Sequence, residues 1–173
     1  QRGHTMTRSR GFFIVTAALL VGGAVWLNGQ SRTASGQLSP QDLYEIELVV
    51  QGYQHGIDIG PEDSSWVFTP DATFEYLVGP TKRAVSGQKA LKEFYANLRK
   101  QNTTRTIRHV LSNLIVKAAP GGATGTVYNT TIEAPLTITA IGMYEDTYVK
   151  TSDGWRIKKR FYHQDLPAAT GKP

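Results

Sequence analysis

Near residue 105 the hydrophobic pattern of the chain changes its period, and this change limits the fold more than any other property of the sequence. Apolar and polar residues then alternate with the period of two that is typical of β-strands, in four segments at 104–118, 123–134, 136–151 and 155–165. Turn signals separate the segments, such as Asp153-Gly154. Short connections favour antiparallel pairing. The sequence therefore predicts a meander of four strands, long enough to bend strongly and form a concave face.

The preceding part of the chain shows helical periodicity. A first helix is predicted from Pro40 to about Ile59, where apolar residues recur every three or four positions. A short second helix is predicted over 62–68, and an amphipathic third helix over 88–102. The alternating, aromatic segment 72–78 predicts a strand between the last two helices. Helices followed by a run of strands indicate a segregated α+β domain.

The 173 residues divide into a leader, 1–36, and a single domain, 37–173. Arg8 and Arg10 precede an apolar run at 12–27, which is typical of a secretory signal peptide. We expect cleavage near Gln37 and a secreted or periplasmic protein. The alternative is a short uncleaved membrane anchor, although the run is shorter than the roughly 20 residues that span a bilayer.

Composition excludes several classes of function. The formal charge of +5 falls mostly in the leader, which holds four arginines and no acid, and the domain has 15 basic and 14 acidic residues. A domain so close to neutral is not expected to bind nucleic acid, which requires clustered basic residues. Without cysteine, and with three scattered histidines in the domain, neither a metal site nor a cofactor is predicted.

Several strings along the domain resemble the SnoaL-like branch of the nuclear transport factor two-like superfamily. They are Gly56-Ile57-Asp58 through Trp66, Phe68 through Phe74, Arg108 through Asn113, Gly142 through Asp146, and Gly154 through Ile157. This branch includes polyketide cyclases and is related to scytalone dehydratase, ketosteroid isomerase and limonene epoxide hydrolase. The resemblance implies a cone-shaped α+β barrel, with three N-terminal helices packed in a strongly curved antiparallel sheet.

Asp58 and His109 are the first two predicted catalytic residues. Asp58 lies near the end of the first helix, close to its apolar stripe, so burial would make its carboxylate a competent base. His109 is expected to share one face of the first long strand with Asn113 and three aliphatic residues. A helix-end aspartate and a core histidine are the alternatives. The resemblance implies an Asp–His pair directed into the barrel, in which the carboxylate orients the imidazole and raises its basicity.

Tyr76 is the third predicted catalytic residue, because the resemblance implies a tyrosine at this place whose hydroxyl polarises a substrate carbonyl. The alternative is an ordinary core tyrosine. Tyr53, Asn113 and Trp66 are the predicted substrate-binding residues.

The chain also departs from its relatives. The resembling dehydratases have a second histidine on the next strand, where this chain has Thr130, Thr131, Ile132 and Glu133. The Asp–Arg–Asp relay of the epoxide hydrolases is missing as well, because the strand has no acid near Arg108. On the last strand, a row that includes Arg156, Lys158 and Arg160 is interpreted as a solvated or interface face.

Taken together, the sequence predicts an exported, cofactor-independent lyase or isomerase that acts on a hydrophobic cyclic carbonyl or hydroxy compound. The alternative is a non-catalytic small-molecule-binding or dimerisation domain of the same fold. An open cavity that reaches both Asp58 and His109 would favour the enzyme. Besides this ligand, the predicted partner is a second copy, because aromatic residues are expected on the outer face of the sheet: Tyr128, Tyr144, Tyr148, Trp155, Phe161 and Tyr162.

Overall fold

The computed structural model describes residues 36–58, 64–78, 81–101 and 106–166. The predicted leader lies outside these residues, except for its last residue, Gly36. The chain forms, in order, α1 (Pro40–Asp58), a 3-10 turn (Ser64–Val67), β1 (Phe68–Val78), β2 (Thr81–Ser86), α2 (Gln88–Gln101), β3 (Ile107–Ala119), β4 (Gly122–Glu133), β5 (Thr137–Thr151) and β6 (Gly154–Leu166). No helix within the described ranges is long and apolar enough to cross a membrane.

The six strands form one curved, mixed sheet in the order β2-β1-β6-β5-β4-β3. Strands β3 to β6 are the predicted antiparallel meander. The expectation of a wholly antiparallel sheet is wrong, because β1 runs parallel to β6. Parallel neighbours require a long crossover, which α2 and the meander provide.

Two further differences from the sequence analysis concern a helix and a strand. The described residues contain two α-helices and not three, because segment 62–68 supplies only the four-residue 3-10 turn, and Phe68 already pairs with Ile157 as part of β1. Strand β2 was not predicted. It is an edge strand whose residues are exposed except for the half-buried Val85, so it carries no alternating pattern to reveal it.

The core lies between the two helices and the concave face of the sheet. Helix α1 buries Ile46, Val50 and Tyr53, and α2 buries Leu91 and Tyr95. The strands complete this core with Phe68, Phe74, Val127, Tyr144, Tyr148, Trp155 and Ile157. Packing α1 along the sheet brings its last residue, Asp58, to the backbone of β3.

A β-bulge divides β3 into two halves. The register with β4 shifts between Ser112 and Ile115, and Asn113 within the shift has a φ of 55°. Asparagine tolerates this left-handed conformation better than most residues. The alternation of inward and outward side chains along β3 changes phase at the bulge. Leu114 therefore turns inward, while Ile115 is 55% exposed.

Candidate active site

A cavity of about 590 Å³ lies among residues of the two helices and strands β1, β3, β5 and β6. Aromatic rings form much of its wall: Tyr53, Phe74, Tyr76, Phe94, Tyr95, Tyr144 and Tyr162. Asp58, Arg99, His109 and Gln164 are among its polar residues. A concave, largely apolar site with a few polar groups is the usual form of a small-molecule site.

Asp58 holds His109 through two contacts. Its Oδ1 lies 2.5 Å from the ring Nδ1, and its Oδ2 accepts the backbone N–H of His109 at 2.8 Å. The two side chains are only 8% and 20% exposed, respectively. Because a carboxylate only accepts, Nδ1 carries the proton, and Nε2 of the neutral ring remains an acceptor. No partner for Nε2 is found among the described residues, so this nitrogen can take a proton from a ligand.

The structure brings Asp58, His109, Tyr76 and Tyr53 to the wall of one cavity. Their catalytic and binding roles stay predictions. Tyr76 stacks on Phe74, with ring centroids 5.4 Å apart. Tyr53 is 2% exposed, and its hydroxyl donates to the Tyr95 hydroxyl at 3.2 Å.

Asn113 and Trp66 do not belong to the wall of this cavity. Asn113 is exposed, because the bulge in β3 rotates it off the face of His109. Trp66 is 43% exposed, since its ring lies over Gly52 on α1, where a Cβ would come within 2.6 Å of the indole. Neither side chain therefore contacts this cavity, and a binding role for the two residues stays a prediction.

A buried ion pair lies next to the cavity wall. Arg160 donates from Nε and Nη2 to Asp146 at 2.7 and 2.6 Å, and both side chains are fully buried. The interpretation of Arg160 as part of a solvated row is wrong, because β6 holds one extra residue, Lys158, in its pairing with β5, and the alternation of inward and outward side chains along β6 shifts there. Burial alone would lower the pKa of Arg160, but the charge of Asp146 outweighs it and raises this pKa above its usual range.

The cavity tyrosines supply neutral hydroxyl groups. Burial raises the pKa of Tyr53, Tyr95 and Tyr144 above that of a free phenol. These side chains therefore stay protonated at neutral pH and can donate hydrogen bonds. Proton transfer at neutral pH is therefore not expected from these three tyrosines.

The sequence did not single out Tyr95, Tyr144, Tyr162 or Arg160 as parts of this region. Tyr95 belongs to an amphipathic helical stripe, which ordinarily means core. A signal for the others existed on β5, where Asp146 shares a face with Tyr144 and Tyr148. An acid on an aromatic, inward face requires a buried base as partner.

Strand β4 places Thr131 directly opposite His109. Asn129 donates to the Thr131 hydroxyl at 3.3 Å and accepts from Gln54 at 2.9 Å. These are neutral groups. In the part of the chain that the structure describes, no group of three or more His, Cys, Asp or Glu side chains could hold a metal ion.

Residues 40–161 match the sequence profile of the SnoaL-like domain. The chain belongs to the SnoaL-like family. No curated protein sequence matches it significantly. Among solved structures, this SnoaL-like chain is similar to a protein of unknown function with a cystatin-like fold from Nostoc punctiforme, with a TM-score of 0.65 and 20% identity over 75% of this chain and 96% of that chain.

Two further solved structures are similar to this SnoaL-like protein. One is a proposed scytalone dehydratase from Novosphingobium aromaticivorans, with a TM-score of 0.58 and 21% identity over 73% of this chain and 85% of that chain. The other is ActVI-ORFA from Streptomyces coelicolor, with a TM-score of 0.61 and 19% identity over 73% of this chain and 98% of that chain. At these identities the likeness shows the fold, an α+β architecture with a curved sheet, and fold alone does not determine function.

Proposed function

We propose that this protein is a cofactor-independent acid–base enzyme, a lyase or isomerase, that acts on a hydrophobic cyclic carbonyl or hydroxy compound. One observation carries the proposal: a single carboxylate, Asp58, binds both the ring and the backbone of His109 in the wall of an aromatic cavity. This arrangement fixes the position and the tautomer of a base that faces the space for a ligand.

The geometry supports the following chemistry. The cyclic substrate packs among the aromatic rings, and Nε2 of His109 removes a proton from the carbon next to the carbonyl group. Asp58 stabilises the imidazolium that forms, while a tyrosine hydroxyl, assigned to Tyr76 on the resemblance, donates to the oxygen that gains negative charge. His109 then returns the proton to another carbon, which is isomerisation, or to a departing hydroxyl group, which is elimination of water.

Family membership adds support, because the branch that the chain resembles includes polyketide cyclases and is related to dehydratases and isomerases. The rival function is a binding or dimerisation domain without chemistry. The open cavity with Asp58 and His109 in its wall favours the enzyme, since a pocket that only holds an apolar ligand has no need of an oriented base.

Uptake of deuterium from heavy water tests the proposal before the substrate is known. Cyclic ketones such as 2-tetralone are incubated with the protein, and NMR follows loss of the proton next to the carbonyl. We expect exchange above the buffer rate, a loss of roughly a hundredfold or more in His109→Ala, and a smaller loss in Asp58→Asn.

His163→Ala is the matched control. His163 also lies beside a carboxylate, Glu145, at 3.0 Å, but on the outer face of the sheet. Its replacement should leave exchange unchanged. The proposal would be contradicted if no variant changed the exchange rate. It would also be contradicted if His109→Ala and His163→Ala lowered the rate equally.

We also propose that the leader directs export. The support is the sequence of Arg8 and Arg10 followed by the apolar run 12–27. Intact-mass analysis of the exported fraction should find protein shortened near Gln37. Full-length protein confined to the cytosol would contradict export.

A further inference from the structure

Two tyrosine hydroxyls form a directed pair in the cavity wall. Tyr53 donates its proton to the hydroxyl oxygen of Tyr95 at 3.2 Å, and the two rings meet edge to face at 5.5 Å. Tyr95 must therefore donate its own proton elsewhere. No acceptor for that proton is found among the described residues. A buried donor without an acceptor is costly, and a ligand oxygen in the cavity would remove that cost.

The buried Arg160–Asp146 ion pair lies next to these two tyrosines. Arg160 is the member of the pair that contacts rings of the cavity wall. The guanidinium of Arg160 lies 4.2 Å from the ring centroid of Tyr53 and 4.4 Å from that of Tyr144, and both rings belong to the wall. The carboxylate of Asp146 instead accepts from Tyr148, which does not line the cavity. Nη1 of Arg160 is buried and finds no hydrogen-bond partner within the described ranges.

A cation against the ring of Tyr53 withdraws electron density from its phenol group. The hydroxyl of Tyr53 then becomes a stronger donor to Tyr95, and hydrogen bonds in a chain polarise one another. Burial raises the pKa of Tyr95, and the charge of Arg160 acts in the opposite direction. The pKa of Tyr95 stays above that of a free phenol, so the hydroxyl keeps its proton and can donate it to an oxygen that acquires negative charge.

We propose that Tyr95 donates the hydrogen bond to the substrate oxygen that becomes negative, with Tyr53 and Arg160 as the positioning residues behind it. This role rests on the proposed function, because it concerns the same cavity. It extends that function by adding a donor on α2 to the Tyr76 donor on β1. The substrate class is thereby limited to compounds that form an enolate or a phenolate during the reaction.

Binding of 4-nitrophenol tests the proposal without any turnover. Its phenol and phenolate forms absorb at different wavelengths, so titrations at several pH values give the affinity of each form. We expect the wild-type protein to prefer the phenolate. Tyr95→Phe, which keeps the ring, should lose about tenfold or more in phenolate affinity, the effect of one hydrogen bond to a charged group. It should change phenol affinity much less.

Tyr53→Phe should lower the phenolate preference by a smaller factor, since it removes only the donor behind Tyr95. Tyr44→Phe, which deletes a hydroxyl from an exposed side chain on α1, is the control and should match the wild-type protein. Circular dichroism of each variant checks folding. An effect of Tyr53→Phe on phenolate alone would not follow from a merely structural role.

The outcomes separate this proposal from the proposed function. A wild-type protein without phenolate preference, a Tyr95→Phe variant that retains it, or an equal loss of both forms overturns the role of Tyr95, even if His109-dependent proton exchange is found. A phenolate preference that depends on Tyr95 supports the role, even if no exchange is found.

Discussion

At the scale of single residues, Asp42 ties the start of α1 to the hairpin formed by β5 and β6. Its carboxylate is 1% exposed and accepts from Lys150 at 2.7 Å, from Trp155 at 2.9 Å, and from the backbone and hydroxyl of Ser39 at 3.0 and 2.6 Å. Burial alone would raise the pKa of Asp42, but these hydrogen bonds outweigh it and hold the pKa well below its usual range.

This lowered pKa predicts that stability falls in acid. The contribution of Asp42 is fully present above the unfolded pKa, near 4, and is lost as pH falls toward the lower folded pKa. Asp42→Asn should lower the free energy of unfolding by about 2 kcal/mol at pH 7, and its stability should change less between pH 4 and pH 2. Urea denaturation across this range measures both effects.

Asp71→Asn is the control, because Asp71 pairs with Lys158 at the exposed surface and should matter little. If the free energy of unfolding of Asp42→Asn fell with pH in parallel with that of the wild-type protein, Asp42 would not be the group that causes the loss of stability in acid.

Sequence reasoning found the Asp58–His109 contact but not the environment of Arg160. The contact was predicted because a helix-end acid and a strand histidine occur in strings that resemble a known family. Arg160 was missed because a basic side chain on a strand is ordinarily solvated, and because the irregular pairing that turns it inward depends on the neighbouring strand. Tyr95 was missed because aromatic residues on a helical stripe usually fill a core.

At the scale of elements, the bulge in β3 decides which side chains reach the cavity. Asn113 adopts a φ of 55°, a conformation that disfavours β-branched residues. Asn113→Val should therefore lower stability by about 1–2 kcal/mol, while Asn113→Gly should be nearly neutral. Because Asn113 lies outside the cavity wall, Asn113→Gly should also leave 4-nitrophenol binding unchanged.

Thermal or urea denaturation compares these variants with Ser112→Val, which places the same residue at the neighbouring exposed position of the strand. Equal stabilities of Asn113→Val and Ser112→Val would contradict the strain argument. Weaker 4-nitrophenol binding by Asn113→Gly would show that Asn113 contributes to ligand binding.

Elements with a strong period could be predicted, whereas long-range pairing could not. Helices α1 and α2 and strands β3 to β6 were predicted from local periodicity, close to the bounds observed. The parallel pairing of β1 with β6 depends on contacts between segments about 90 residues apart, which no local pattern encodes.

At the scale of the whole molecule, the outer face of the sheet carries fewer aromatic side chains than the sequence predicts. Four of the six aromatic residues expected on the outer face turn inward: Tyr144, Tyr148 and Trp155 are buried, and Tyr162 lines the cavity. Of these four, only Tyr162 follows the irregularity in β6, where the pairing with β5 skips Lys158. The outer face of β3 and β4 still exposes Val110, Ile115 and Tyr128, each by about half.

We predict a homodimer formed through this outer apolar surface, since exposed apolar groups gain stability when a partner covers them. Light scattering at micromolar concentration should report a dimer, and Ile115→Glu should shift it toward monomer. Leu43→Glu, at an exposed apolar position on α1, should leave the dimer intact. A wild-type monomer would contradict this prediction.

In the proposed function, Asp58 fixes His109 as a base whose Nε2 faces the ligand. NMR of the protein with 15N-labelled histidine tests it most directly, at a pH where the ring is neutral. We predict that Nδ1 of His109 carries the proton, that Nε2 does not, and that adding 2-tetralone shifts the Nε2 signal. A proton on Nε2, or an Nε2 signal that 2-tetralone leaves unchanged, would contradict the claim.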